Sequence, residues 1–342
     1  MTAHPFATES SRRRRAVLVM TAALILIAAV CVISINTGHI RLSPAVVAKT
    51  LFGLGTDREE LILFEFRLPR IVISILVGAA LAVSGCILQG ITRNALADPG
   101  ILGINAGAAF FVVAGSAFFG LGGLSTFATL AFIGAAVAAA LVYMLGSIGS
   151  DGLTPLKVTL AGAAMTAFFS SLSLGILMTS GKTFDQVLFW FVGSVAGRDL
   201  DIFLSAAPYM FTALIGAWIM ARHMNLLTLG EEVATGLGQN IFAIKLIAGV
   251  FVVLLAGGSV SVAGPIAFVG IMIPHLTRHL VGLDHRWVIP YSAVLGGILL
   301  LYADIGSRYI AFPKEVPVGV MTAIIGVPFF VYIARRGDAS RT

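Results

Sequence analysis

Long apolar runs alternate with short polar stretches along almost the whole chain. A bilayer core needs about 20 apolar helical residues to cross it, and Ala16–Ile35, Ile71–Thr92, Val158–Gly181 and Ile202–Ala221 each supply such a run. Between Asp98 and Asp151 lie 52 residues without a charge, too many for one helix, and Gly120-Leu121-Gly122-Gly123 is the turn that divides them. Further runs follow at about 241–262, 264–283, 287–307 and 317–334, so the pattern predicts ten membrane helices. Thr154-Pro155 is a helix-start signal for the fifth. The first run follows Arg12–Arg15 and looks at first like a signal peptide. It is span-length and has no small-residue cleavage site after it, so it reads as a retained helix.

Composition agrees with this pattern. Hydrophobic residues make up 58% of the chain, charged residues 11%, and mean hydropathy is +1.00. A soluble domain carries about 25% charged residues, so a soluble enzyme, a secreted disulfide scaffold and a disordered chain are all excluded. Cys31 and Cys86 lie inside apolar runs and read as small core residues. With both termini in the cytoplasm, 13 of the 22 Lys and Arg fall on the inner side and 9 outside. That bias follows the positive-inside rule, though softly. Residues 1–15 then form a basic cytoplasmic tail, 16–336 one all-α polytopic bundle and 337–342 a short inner tail.

The outer cations are the informative part. Arg67 and Arg70 flank Leu68-Pro69 at the mouth of the second run, and Arg308 ends the ninth. Arginine in the bilayer centre is costly, so these belong at the boundary. They either snorkel to headgroups or form a docking surface for an acidic partner; on the residues alone both readings stand. Within the spans Asp304 is the main ionisable group, with Arg308 one turn later on the same face. It reads equally as a local ion pair or as a proton site. The segment Gly175–Thr183 resembles a phosphate-binding loop, but five residues separate its glycines where four are needed. His275, His279 and His285 lie close in sequence and read as interfacial polar residues rather than a metal set. No carboxylate pair or nucleophile–base set suggests catalysis.

Several long motifs then coincide. They are Arg67-Leu68-Pro69-Arg70 with Val77–Gly85, Gln89-Gly90 with Asn94–Gly103, and Leu229–Gly238. Ala263–Gly270 with Ile273–Arg278, Ala303–Arg308, and Glu315–Gly319 leading into Gly326–Phe330 complete the set. Together they resemble the FecCD-type permease subunits of ABC importers for iron–siderophores, haem and vitamin B12, over nearly the whole chain after the first helix. The resemblance implies ten helices per subunit, cytoplasmic termini, and a functional dimer, homomeric or paralogous, in the bacterial cytoplasmic membrane. It implies that Arg67, Arg70 and Arg308 meet glutamates on a substrate-binding protein. It also implies that residues 229–240, with Gly230, Glu231, Glu232, Ala234, Gly238 and Gln239, press into two ATPase subunits that hold the ATP and Mg. Gly85, Gln89, Asn94, Gly264, Pro265 and Asp304 are the candidates for pathway and gating. The chain itself would bind no cofactor or metal, and its favoured cargo is a ferric siderophore, ahead of haem or cobalamin. An ion-coupled secondary transporter or channel acting alone is the runner-up, and a structural or signalling subunit the third reading.

Overall fold

The computed structural model describes residues 9–38, 42–149, 154–179, 181–198 and 200–339; residues 1–8 and 340–342 of the expected tails lie outside the described residues. Among the described residues the secondary structure is entirely helical. In chain order the helices are α1 (Glu9–Asn36), α2 (Pro44–Leu51), α3 (Asp57–Glu60), α4 (Leu68–Thr92), α5 (Ile104–Phe119) and α6 (Leu124–Ser147). Then come α7 (Pro155–Thr179), α8 (Gly181–Phe191), α9 (Leu200–Ile219), α10 (Ala221–Thr228) and α11 (Glu231–Gly236). The last five are α12 (Ile241–Val252), α13 (Gly258–Ala263), α14 (Val269–Val281), α15 (His285–Ser307) and α16 (Val318–Ala339). The Gly120–Gly123 turn and the Thr154-Pro155 start fall where the sequence puts them, and the Thr154 hydroxyl accepts from the Lys157 N–H at 3.3 Å.

Seven described helical stretches are long and apolar enough to cross a bilayer. Three of the ten anticipated runs are shorter: α5 has 16 residues, the apolar part of α16 is Val318–Ile333, and α14 has only 13. At 1.5 Å per residue α14 is about 20 Å long, well short of a hydrocarbon core of about 30 Å. The reason is a break: Gly264–Phe268 is irregular, with positive φ at Gly264 and Phe268, before the helix begins at Val269. The second run differs in the other direction. It begins at Asp57 and passes through a π-helical turn at Leu61–Arg67, where the Leu68 N–H reaches back to the Leu63 carbonyl. That wider turn carries the chain into Pro69, which supplies no N–H. The stretch after α7 contains helix α8, which buries Val187 and Trp190.

Helix α4 lies at the centre. It packs on α15, α14, α12, α13, α9 and α10, and every residue from Leu76 to Gly90 is buried. Its sequence is apolar or small all round, the signature of a helix enclosed on every side. Contact is nearly backbone to backbone. A Cβ on Gly78 would stand 2.2 Å from the Gly296 carbonyl oxygen, and one on Gly85 2.1 Å from that of Gly270. Small residues permit this approach, and in lipid such packing replaces the hydrophobic drive between helices. Gly85 is thus a packing residue between α4 and α14.

The replacements Gly78→Ala and Gly296→Ala each set a methyl against a carbonyl in the other helix. Overpacking of this kind costs about 1–3 kcal/mol, so each variant should unfold at a lower temperature in detergent or nanodiscs. Unchanged melting of both would refute the close-contact assignment.

Candidate functional site

One end of the α4–α15 pair carries a buried ion cluster. The Asp304 carboxylate, with no exposed surface, accepts from Arg70 Nε at 2.6 Å through one oxygen and from Arg308 Nη2 through the other. Arg70 also donates to Glu315 at 2.8 Å. Arg308 reaches α1, donating to the Ser34 carbonyl and hydroxyl, both at 3.1 Å, and to the Thr37 carbonyl at 2.9 Å. Arg67 donates to the Ile35 carbonyl. The last carbonyls of a helix lack partners within it and form the negative end of its dipole; two guanidiniums satisfy that end of α1. The arginines therefore sit at the expected helix ends but are turned inward, with Arg67 and Arg308 only 7% exposed. Asp304 is an ion-pair partner, as its spacing from Arg308 allowed. Arg70 and Glu315 enter from far away in sequence and were not visible there.

The irregular segments at this end satisfy one another. Ser194 N–H donates to the Ala263 carbonyl at 2.7 Å and Gly319 N–H to the Gly193 carbonyl at 3.0 Å. Gly264 packs on Trp190 and Gly193, where an added Cβ would stand 2.5 Å from the Trp190 carbonyl oxygen. Pro265 lies against Gly193. Non-helical backbone at membrane depth persists only where protein encloses it.

At the opposite end Gln89 is a saturated connector. Its amide nitrogen donates to the carbonyls of Gly270 at 2.9 Å and Ala97 at 3.3 Å, and its oxygen accepts from Arg278 at 2.6 Å. Asn94 is exposed and shapes the turn after α4 by accepting from the Leu96 N–H at 3.0 Å. Asp98 accepts from the Gly100 N–H at 2.8 Å; burial pushes its carboxyl up to about 6, partly offset by that hydrogen bond. Arg93 donates to the Leu227 carbonyl at 2.9 Å. Asn225 joins Asp284 at 2.6 Å and the His285 ring at 2.8 Å. His275 and His279 lie with ring centroids 4.6 Å apart, tilted by 45°, while His285 is held on Asn225, and no group of three metal-ligating residues occurs among the described residues.

The same end carries an elbow. Helices α10 and α11 meet at Leu229-Gly230, where Gly230 has φ 126° and ψ 144°, a conformation closed to residues with a Cβ. Ala234 is buried, Gln239 returns its N–H to the Ala234 carbonyl at 3.0 Å, and the Gln239 side chain lies 2.9 Å from His223 Nδ1. Glu231 is clasped by Lys245 of α12 at 2.9 Å. Glu232 and Gly238 are exposed. Leu229, Val233 and Leu237 are also exposed, at 63%, 48% and 60%. Val233 and Leu237 are one turn apart, so they share a face.

The ion cluster has a graded prediction. Removing Asp304 leaves the buried Arg308 guanidinium without its carboxylate and Arg70 with Glu315 alone, a loss of about 3–5 kcal/mol for a buried pair. Glu315 is more exposed, and its pair should contribute about 1 kcal/mol or less. Thermal unfolding of Asp304→Ala should therefore fall far below that of Glu315→Gln; equal melting would refute Asp304 as the hub.

Comparison with known proteins follows the same lines. Residues 25–336 match the FecCD transport family. A Bacillus subtilis protein named "Probable siderophore transport system permease protein YfiZ" is 51% identical over 313 residues, 92% of this chain and 94% of that protein. The ferric enterobactin transport system permease protein FepD of Escherichia coli is 38% identical over 94% of this chain and 96% of its own length. Among solved structures, a metal-chelate type ABC transporter in an inward-facing conformation superposes with a TM-score of 0.83 at 28% identity, covering 93% of this chain and 99% of that one. The chain belongs to the FecCD transport family.

Proposed function

We propose that this chain is the pathway-forming subunit of an ATP-driven importer that receives a ferric siderophore from a binding protein outside and releases it in the cytoplasm. The carrying observation is the elbow. Three large apolar side chains stand exposed on α11 and at the ends of α10 and α11, beyond the spans, while Ala234 and Glu231 anchor the same segment to the bundle. Such a patch fits a groove on another protein, and two ATPase subunits with their ATP and Mg are the partners assigned to it. The elbow face is then cytoplasmic, both termini lie on that side, and two copies or paralogues enclose the pathway.

The opposite face receives the binding protein. Three guanidiniums stand there against two carboxylates, leaving an excess of positive charge that attracts an acidic surface. Arg70 is the contact of the three that remains partly open, while Arg67 and Arg308 hold the cluster to α1. Asp304, held between two arginines, is poorly placed to relay protons, which favours ATP over an ion gradient as the energy source. The names of relatives that carry siderophores, ferric citrate and ferric hydroxamates support a ferric chelate as cargo.

Alternating access is the mechanism this reading needs: ATP binding and hydrolysis favour different conformations of the pathway through differential affinity. In proteoliposomes holding the permease with its ATPase subunits, the loaded binding protein should stimulate ATP hydrolysis and uptake of the ferric chelate. Val233→Asp with Leu237→Asp should bury unpaired charge in the contact, at a cost above about 2 kcal/mol, and abolish stimulation while the permease stays monodisperse. Uptake driven by an ion gradient through the permease alone would overturn the proposal.

A further inference from the structure

A cavity of about 460 Å³ lies between α4, α6, α7 and α12 on the elbow's side of the bundle. Its walls are almost wholly apolar, including Leu88, Phe132, Val142 and Leu254. Its polar groups gather at one end, where Thr92, Tyr143, Thr154 and Lys245 lie close to the ends of their helices. The Tyr143 hydroxyl there is buried with no hydrogen-bond partner among the described residues. From Lys245 to Leu254 is about 13 Å of helix rise and from Phe132 to Met144 about 18 Å. The cavity thus runs about one leaflet deep, half of a core of about 30 Å.

The side of the cavity is open. Met144, Leu246 and Val250 line it and are 63%, 42% and 49% exposed on the outer surface of the bundle. Gly249 lines it too, and a Cβ placed there meets no atom within 4 Å. Apolar walls cannot satisfy the oxygens of a polar chelate, and a cavity of this character does not hold water. The occupant must be apolar over one leaflet's depth, polar at the elbow end, and able to enter sideways from the bilayer.

We propose that the cavity is a binding site for one phospholipid of the leaflet on the elbow's face, with an acyl chain between α6 and α12. Its phosphate sits at the end marked by the Tyr143 hydroxyl and the Lys245 ammonium. Because Lys245 also clasps Glu231, the headgroup adjoins the ion pair that ties α12 to the elbow. The site is independent of which cargo the transporter carries.

The test uses the full chain in nanodiscs containing phosphatidylglycerol with a diazirine on one acyl chain close to its glycerol ester, photolysed and mapped by peptide mass spectrometry. Adducts are expected on Leu88 and Val142, which are buried from the surrounding bilayer, as well as on the exposed face of α1. Gly249→Phe should remove the adducts on Leu88 and Val142 and leave those on α1, which also report a folded variant. Ala140→Leu at the opening is the second variant, with the same expectation. No adduct on Leu88 or Val142 in the unmodified chain, or undiminished labelling in both variants, overturns the proposal. So does competition by excess inorganic phosphate, which would place a free anion at Lys245. A disulfide between copies of Leu246→Cys would put a second copy over the opening and overturn it too.

Discussion

No water reaches the hydrocarbon core, so every backbone N–H and C=O there must find its partner inside the protein. The rest of this structure depends on that requirement. Helices meet it by themselves along most of their length, and the places where they stop are where the chemistry gathers. The last carbonyls of α1 take Arg67 and Arg308. The break before α14 is enclosed by Gly193, Ser194 and Gly319, whose backbones complete one another's hydrogen bonds. What reads in isolation as a rim of cations is largely the completion of helix ends.

The same requirement explains the glycines along α4. Without a hydrophobic drive between helices, close packing must hold the bundle. Gly78 against Gly296 and Gly85 against Gly270 bring three helices to backbone contact. Tight contact leaves no room for loose polar groups, so Gln89 spends its whole amide on Gly270, Ala97 and Arg278.

Helices α4 and α15 consequently act as one beam between two ends. At one end Arg70 of α4 meets Asp304 of α15. At the other, Arg93 follows α4 and binds the Leu227 carbonyl, while Asp284 and His285 at the start of α15 bind Asn225. Both partners, Leu227 and Asn225, belong to α10, the helix that leads into the elbow at Gly230. The ion cluster and the elbow are thus joined by a continuous packed path.

Much of this was legible in the residues. The apolar runs, the Gly120–Gly123 turn and the start at Pro155 depend on local propensity and on the period of one helix, whereas the segment holding Gly230 was marked by the family resemblance. The Asp304–Arg308 pair was readable for the same reason, since spacing along a helix reports a shared face. Other features were hidden. The π-helical turn before Pro69 left no mark in the apolar pattern, α8 was masked by its polar flanks, and the break at Gly264–Phe268 lay within an apolar run. By itself the sequence determined that the chain crosses a membrane, roughly where, and to which family it is similar, because hydropathy and motifs are properties of consecutive residues. Only the tertiary structure decided that Arg70 shares Asp304, that Arg67 and Arg308 cap α1, and that Lys245 holds Glu231. Those partners depend on which helix ends become neighbours, and that is settled by packing.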